Sequence, residues 1–268
     1  MQGALDYHIH TKLCGHAGGE MEEYVLAALK AGLREMGFSD HIPMYFQEVV
    51  PGFAMSEEEL EQYVGEVYRL RQAFPDINLL LGLEADYAQG QENKLVSLLK
   101  SYDFDYVLGS IHWIGNWGFD DERQIAEYAK WDLAELYRHY FGLVQAAAKT
   151  GYFQIMAHTD LIKKLGFRCP EPLDQIYEET ARVFRDAGVC VEVNTAGWRV
   201  KVKEIYPHPE FLERCCHYRV PVTLGSDAHH PNLVAAGFRE AVDLLKDIGF
   251  KQIATFRQRK LKLIPLDF

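Results

Sequence analysis

Along the chain, short apolar runs rich in β-branched and aromatic residues alternate with longer stretches whose apolar positions recur with helical period. The short runs predict strands near 4–9, 35–39, 77–84, 105–112, 153–158, 189–195, 220–226 and 252–256. The longer stretches predict helices near 20–31, 57–73, 91–101, 123–149, 173–187, 209–217 and 233–248. Local punctuation agrees: Ser56 followed by Glu59 makes a capping box, Pro75 closes that helix, and Gly188 and Gly249 stand where helices should stop. Strands alternating with helices are the signature of parallel βα units. A TIM-barrel-like (β/α) barrel is favoured over an open doubly wound sheet. The open sheet calls for a glycine-rich turn after its first strand, and Gly15, Gly18 and Gly19 are too poorly spaced to form one. No linker-like or low-complexity tract divides the chain, so residues 1–268 are expected to form a single domain.

Against this framework, histidine and acidic residues fall at strand ends. His8 and His10 close the first predicted strand, His41 follows the second, Glu84 ends the third, His112 the fourth, His158 the fifth, and Asp227 with His229 the seventh. In a parallel barrel the C-terminal strand ends open on one face, so residues remote in sequence converge there. Alternate residues of a strand point to the same side, which lets His8 and His10, or Asp227 and His229, reach one site. A single strand-end histidine is an ordinary structural residue; seven of the eleven histidines at strand ends or in the loops just after them, beside two acids, are not. Imidazole and carboxylate donors suit Zn, Mn or Fe in a catalytic setting. His139, His208, His217 and His230 are assigned to helix surfaces or loops, and Ser110 and Ser226 to backbone-bonding roles. Cys14, between His10 and His16, is assigned a structural role rather than that of thiolate ligand or nucleophile, because spacing places no second cysteine or dedicated base beside it.

Composition narrows the function. A formal net charge of −11 argues against nucleic acid or an anionic membrane as the main partner, and the basic cluster Arg257, Arg259, Lys260 and Lys262 is short enough to be merely solvated. The five cysteines include no Cys-x-x-Cys pair, and no apolar run is long enough to span a bilayer. A soluble cytoplasmic protein is expected.

The segments Asp6-Tyr-His-Ile-His10, Phe38-Ser-Asp-His41, Gly82-Leu-Glu-Ala-Asp-Tyr87, Gly109-Ser-Ile-His112, His158-Thr-Asp160 and Gly225-Ser-Asp-Ala-His229 resemble those of the polymerase-and-histidinol-phosphatase (PHP) superfamily. The stretch Glu192-Val-Asn-Thr-Ala-Gly-Trp-Arg199 with Ile205-Tyr-Pro207 looks like the segment in which its monofunctional histidinol-phosphate phosphatases place a substrate-binding arginine. The resemblance implies a distorted (β/α)7 barrel holding three divalent ions. Carried onto matching positions, His8, His10, Glu84 and Asp227 would bind one ion, Glu84, His112 and His158 a second, and His16, His41 and His229 a third.

These implied ions would leave a strongly positive pocket suited to a phosphate monoester dianion, with a hydroxide bridging the pair that shares Glu84 as the expected nucleophile. Arg199 is the candidate for a bidentate phosphate contact, and one of Lys163, Lys164 and Arg168 for a second basic contact. Asp160 is expected to orient His158 or to protonate the leaving alkoxide. The expected reaction is hydrolysis of L-histidinol phosphate in histidine biosynthesis. Alternatives are a phosphodiesterase or nuclease using the same metals, which the acidic composition disfavours, a phosphatase of another small phosphate ester, and a non-catalytic metal-binding module.

Overall fold

The computed structural model describes residues 4–48 and 50–268. Strands β1 (Leu5–Asp6), β2 (Glu35–Phe38), β3 (Asn78–Asp86), β4 (Tyr106–Ser110), β5 (Trp113–Ile114), β6 (Trp117–Gly118), β7 (Ile155–Met156), β8 (Cys190–Asn194), β9 (Val222–Gly225), β10 (Gln252–Arg257) and β11 (Lys260–Pro265) follow in chain order. Helices α1 (Met21–Ala31), α2 (Glu57–Ala73), α3 (Glu92–Leu99), α4 (Leu133–Lys149), α5 (Asp174–Ala187), α6 (Pro209–His217) and α7 (Phe238–Ile248) are interspersed with them.

Seven strands pair in parallel in the order β1-β2-β3-β4-β7-β8-β9. Beyond the last regular pair the ends meet: Tyr7 N donates to Leu224 O at 3.1 Å and His10 N to Ala228 O at 3.0 Å, so the sheet nearly closes into a barrel. Each strand is covered outside by helices and filled inside, which explains why runs such as Cys190–Asn194 are buried throughout. The filling is uneven. The Tyr106 ring occupies the interior against Gly37 and Gly82, where a methyl group would overlap it, and its hydroxyl donates to Tyr7 O at 2.7 Å. Gly109 leaves room for Phe153 in the same way.

The capping box at Ser56 and Glu59 opens α2, and Gly188 and Gly249 end α5 and α7 in the left-handed conformation. Four features depart from the sequence reading. The run near 252–256 is not an eighth barrel strand; β10 pairs antiparallel with β11 through a turn at Gln258 and Arg259, both at positive φ. That hairpin covers the N-terminal mouth of the barrel. There the buried Glu35 carboxylate accepts from Tyr7, Thr255 and Asn78, and Arg257 donates to Asn78. The helix expected over 123–149 is broken, because Asp132 accepts from Glu135 N at 2.9 Å and starts α4 afresh after a 3-10 segment over Glu122–Lys130. The helix expected from 233 begins only at Phe238, behind Gly237 at φ 78°. A small hairpin, β5–β6, follows β4 where no element was expected. No helix among the described residues is long and apolar enough to cross a membrane.

The glycine cradle around Tyr106 gives a direct test of the interior. Gly37→Ala should destabilise the protein by about 1–3 kcal/mol in urea unfolding, whereas Leu26→Ala on the exposed face of α1 should change stability by less than about 0.5 kcal/mol. Equal midpoints for the two variants would show that the interior can yield to an added methyl.

Candidate metal centre

The C-terminal barrel ends bring all nine predicted ligands together around Glu84. Its Oε1 lies 2.8 Å from His158 Nε2 and 3.5 Å from His112 Nε2. Its Oε2 lies 3.1 Å from His41 Nδ1, 3.3 Å from His8 Nε2 and 3.6 Å from His10 Nε2. Asp227 Oδ1 stands 3.2 Å from His10 Nε2, and His16 Nε2 faces His229 Nε2 at 3.0 Å. Two ligands sit on backbone that side chains rarely adopt, His158 at φ 22° and Asp227 at φ 52°. Such strain at a cluster of polar residues is a mark of function.

Several donor atoms are compatible with cations. His8 Nε2, His41 Nδ1 and Glu84 Oε2 are buried without a hydrogen-bond partner among the described residues. His16 Nδ1 faces the carbonyls of Cys14 and Gly52, and His229 Nδ1 that of Asp227, each at 3.1 Å. Those contacts put the ring protons on Nδ1, leaving two Nε2 lone pairs pointing at each other; only a proton or a cation between them relieves that arrangement. Groups able to hold an ion include His8, His10 and Asp227; His8, Glu84 and His158; His10, His41 and His229; and Cys14, His16 and His229. The groups share members, as expected of one multinuclear cluster.

The electrostatics lead to the same conclusion. Burial opposes ionisation of Glu84, but the imidazoles of His41, His8 and His112 outweigh it and hold the carboxyl well below its usual range. For Asp227 burial is likewise overcome, here by His8 and His10. Burial and neighbouring His10 push His229 down to about 3, while Asp86 and Glu84 overcome burial to push His112 up to about 9.

A second layer, not singled out by sequence reasoning, orients the rings. Glu192 Oε1 meets His8 Nδ1 at 2.6 Å, Asp86 Oδ1 meets His112 Nδ1 at 3.0 Å, and Asp40 Oδ1 meets His10 Nδ1 at 3.3 Å. Each carboxylate fixes a ring so that Nε2 points inward. The available signal was an acid within or just after an apolar strand: Asp86 is two residues beyond Glu84, and Asp40 precedes His41.

The cluster floors a cavity of about 470 Å³ lined also by Arg199, Lys164, Asp120, Trp113 and Phe53. Arg199 donates to Thr195 O at 3.2 Å and to Ser226 O, which anchors its guanidinium at the rim. Of the other basic candidates, Lys164 lines the cavity and pairs with Asp120 at 2.8 Å. Lys163 instead binds Ile205 O at 3.0 Å and Asp160 at 2.7 Å, and Arg168 pairs with Glu204. Asp160 is not among the cavity-lining residues: its Oδ2 meets Lys163 and accepts from His208 N, its Oδ1 is buried without a partner among the described residues, and it makes no hydrogen bond to His158. Ser110 and Ser226 hydroxyls are buried without partners among the described residues, rather than bonded to backbone. His139 and His217 are exposed on α4 and α6, His230 is exposed in the loop after β9, and His208 caps α6.

The PHP domain model matches residues 6–196. A probable histidinol-phosphatase of Deinococcus radiodurans is 41% identical over 263 residues, covering 98% of this chain and all of that protein. The histidinol-phosphatase of Bacillus subtilis is 24% identical, covering 84% of this chain and 92% of its own. Among solved structures, a histidinol phosphate phosphatase from Lactococcus lactis, complexed with Zn, L-histidinol and phosphate, superposes with a TM-score of 0.85 at 23% identity, covering 98% of this chain and 100% of that one. With the family model spanning most of the chain and a full-length relative at this identity, the chain belongs to the PHP domain family, alongside proteins named histidinol-phosphatases.

Proposed function

We propose that this protein hydrolyses L-histidinol phosphate to L-histidinol and phosphate in the cytoplasm, using three divalent ions held by the nine ligands as the family resemblance divides them. The observation that carries the reading is the cavity itself: buried imidazole and carboxylate donors form its floor, and Arg199 and Lys164 stand on its walls. Relatives named histidinol-phosphatase and the relative's bound Zn, L-histidinol and phosphate support the substrate. Zn, Mn and Fe all suit the donor set.

Divalent ions held by these residues would supply an acidified water near neutral pH and positive charge for phosphoryl oxygens. The chain supplies the rest. Arg199, held by two backbone carbonyls, keeps guanidinium N–H groups free for bidentate contact with phosphate. Lys164 adds a point charge beside it, and Asp120 restrains Lys164 while offering a carboxylate to a substrate ammonium. Trp113 and Phe53, in edge-to-face contact with centroids 5.2 Å apart, give an apolar wall for an imidazole ring. The volume suits a small monoester rather than a polymer.

Released phosphate measured across a panel of phosphate monoesters and a phosphodiester should be greatest with L-histidinol phosphate; preference for the diester would overturn the assignment. Elemental analysis of protein purified without chelator should approach about three ions per chain, and chelation should abolish turnover. A ceiling of one ion at saturating metal would sink the trinuclear reading. Division of labour predicts that Glu84→Gln loses both metal and turnover, whereas Arg199→Ala keeps its metal and loses about 10²–10³-fold in kcat/KM. Unchanged kinetics in Arg199→Ala would remove that residue from the site.

A further inference from the structure

Glu192 does more than hold one ring. Its side chain is almost fully buried on β8, behind the ligand cluster, and it reaches three elements at once. Oε1 meets His8 Nδ1 at 2.6 Å, at the end of β1. Oε2 accepts from the backbone N–H of His158 at 2.8 Å, at the end of β7, where that residue is held at φ 22°. Oε2 also accepts at 3.1 Å from Asn194 Nδ2, which reaches Asp227 Oδ2 at 3.3 Å beyond β9. Space for this carboxylate comes from Gly225, since a methyl there would overlap Oε1.

We propose that Glu192 is a positioning residue that sets the geometry of His8, His158 and Asp227 together, and so couples two of the metal positions while leaving the rim position of His16, His41 and His229 largely independent. The inference rests on the ligand reading given under the proposed function. Its physical basis is the number of donors a carboxylate can satisfy. Two oxygens receive the ring N–H of His8, the strained N–H of His158 and the amide of Asn194. An isosteric glutamine keeps one acceptor oxygen and turns an NH₂ toward whichever donor remains. If that NH₂ faces His158, the strained N–H loses its partner; if it faces His8, the ring must shift its proton to Nε2, the atom aimed at the metal.

The test uses the full-length, zinc-loaded protein and its Glu192→Gln variant, with zinc retention followed against a graded chelator and the histidine rings followed by long-range ¹H–¹⁵N NMR. The variant should release zinc from the inner positions about 10–100-fold more readily while the rim position keeps its affinity. In the wild type, His8 should carry its proton on Nδ1, with a sharp, exchange-protected signal that is lost or moved in the variant. Wild-type retention at every position in Glu192→Gln, or uniform weakening of all of them, would overturn the proposal, the latter by showing a merely structural role. If the variant fails to fold, the wild-type spectrum still decides: a His8 ring without a proton on Nδ1 refutes the coupling. Failure of the underlying ligand reading looks different, because the wild type itself would then hold no zinc at the inner positions.

Discussion

The constraint on which the site depends is the burial of Glu84. A carboxylate that is 1% exposed at the centre of a protein costs many kcal/mol unless positive charge and hydrogen-bond donors surround it. The chain meets that demand with five imidazoles that follow four of its seven barrel strands, so the site alternates in charge outward from the centre. Glu84 is innermost, the histidines surround it, and Asp40, Asp86 and Glu192 lie behind the rings. Each layer makes the next tolerable. Removing the imidazoles would strand Glu84, and removing the outer acids would free the rings to turn away. The parallel barrel is what allows this layering, since it brings the ends of distant strands within a few ångströms of one another.

The two mouths of the barrel divide the work. At the N-terminal mouth, Glu35 is also buried, but its partners are Tyr7, Thr255 and Asn78, neutral donors that satisfy it without leaving an open valence. That network clamps the β10–β11 hairpin and completes the fold. At the opposite mouth Glu84 has mainly imidazole partners, which are themselves candidate metal ligands. Two buried glutamates at opposite ends of one barrel thus receive different shells, one closed and one able to accept ions.

The sequence made the inner layer legible and the outer layer obscure, for a physical reason. The converging histidines announce themselves because they recur at strand ends, where chain direction and barrel closure are enough to predict convergence. Asp40 and Asp86 also stand at strand ends and Glu192 within β8, but only distances across the sheet reveal which ring each one holds. Asp160 shows the same limit: it stands two residues after His158 in the chain, yet its Oδ2 faces Lys163, one helical turn on. The terminal hairpin escaped because its turn uses Gln258 and Arg259 at positive φ instead of the Asn-Gly signal such turns usually carry. The helix break at Trp131 was hidden within an otherwise continuous apolar period, although Asp132 with Glu135 was there to be read as a cap.

The cluster is graded in its access to water: His8 is fully buried, His229 is 30% exposed, and His16 lies in an exposed loop. On the proposed ligand reading, ions held against His8 and Glu84 would leave only when strand ends separate, a local opening paid in broken barrel hydrogen bonds. An ion between His16 and His229 would trade places with the medium while the barrel stays shut. A cluster so filled would keep two clocks, a slow inner one set when the chain folds and a fast outer one that follows the metals around it.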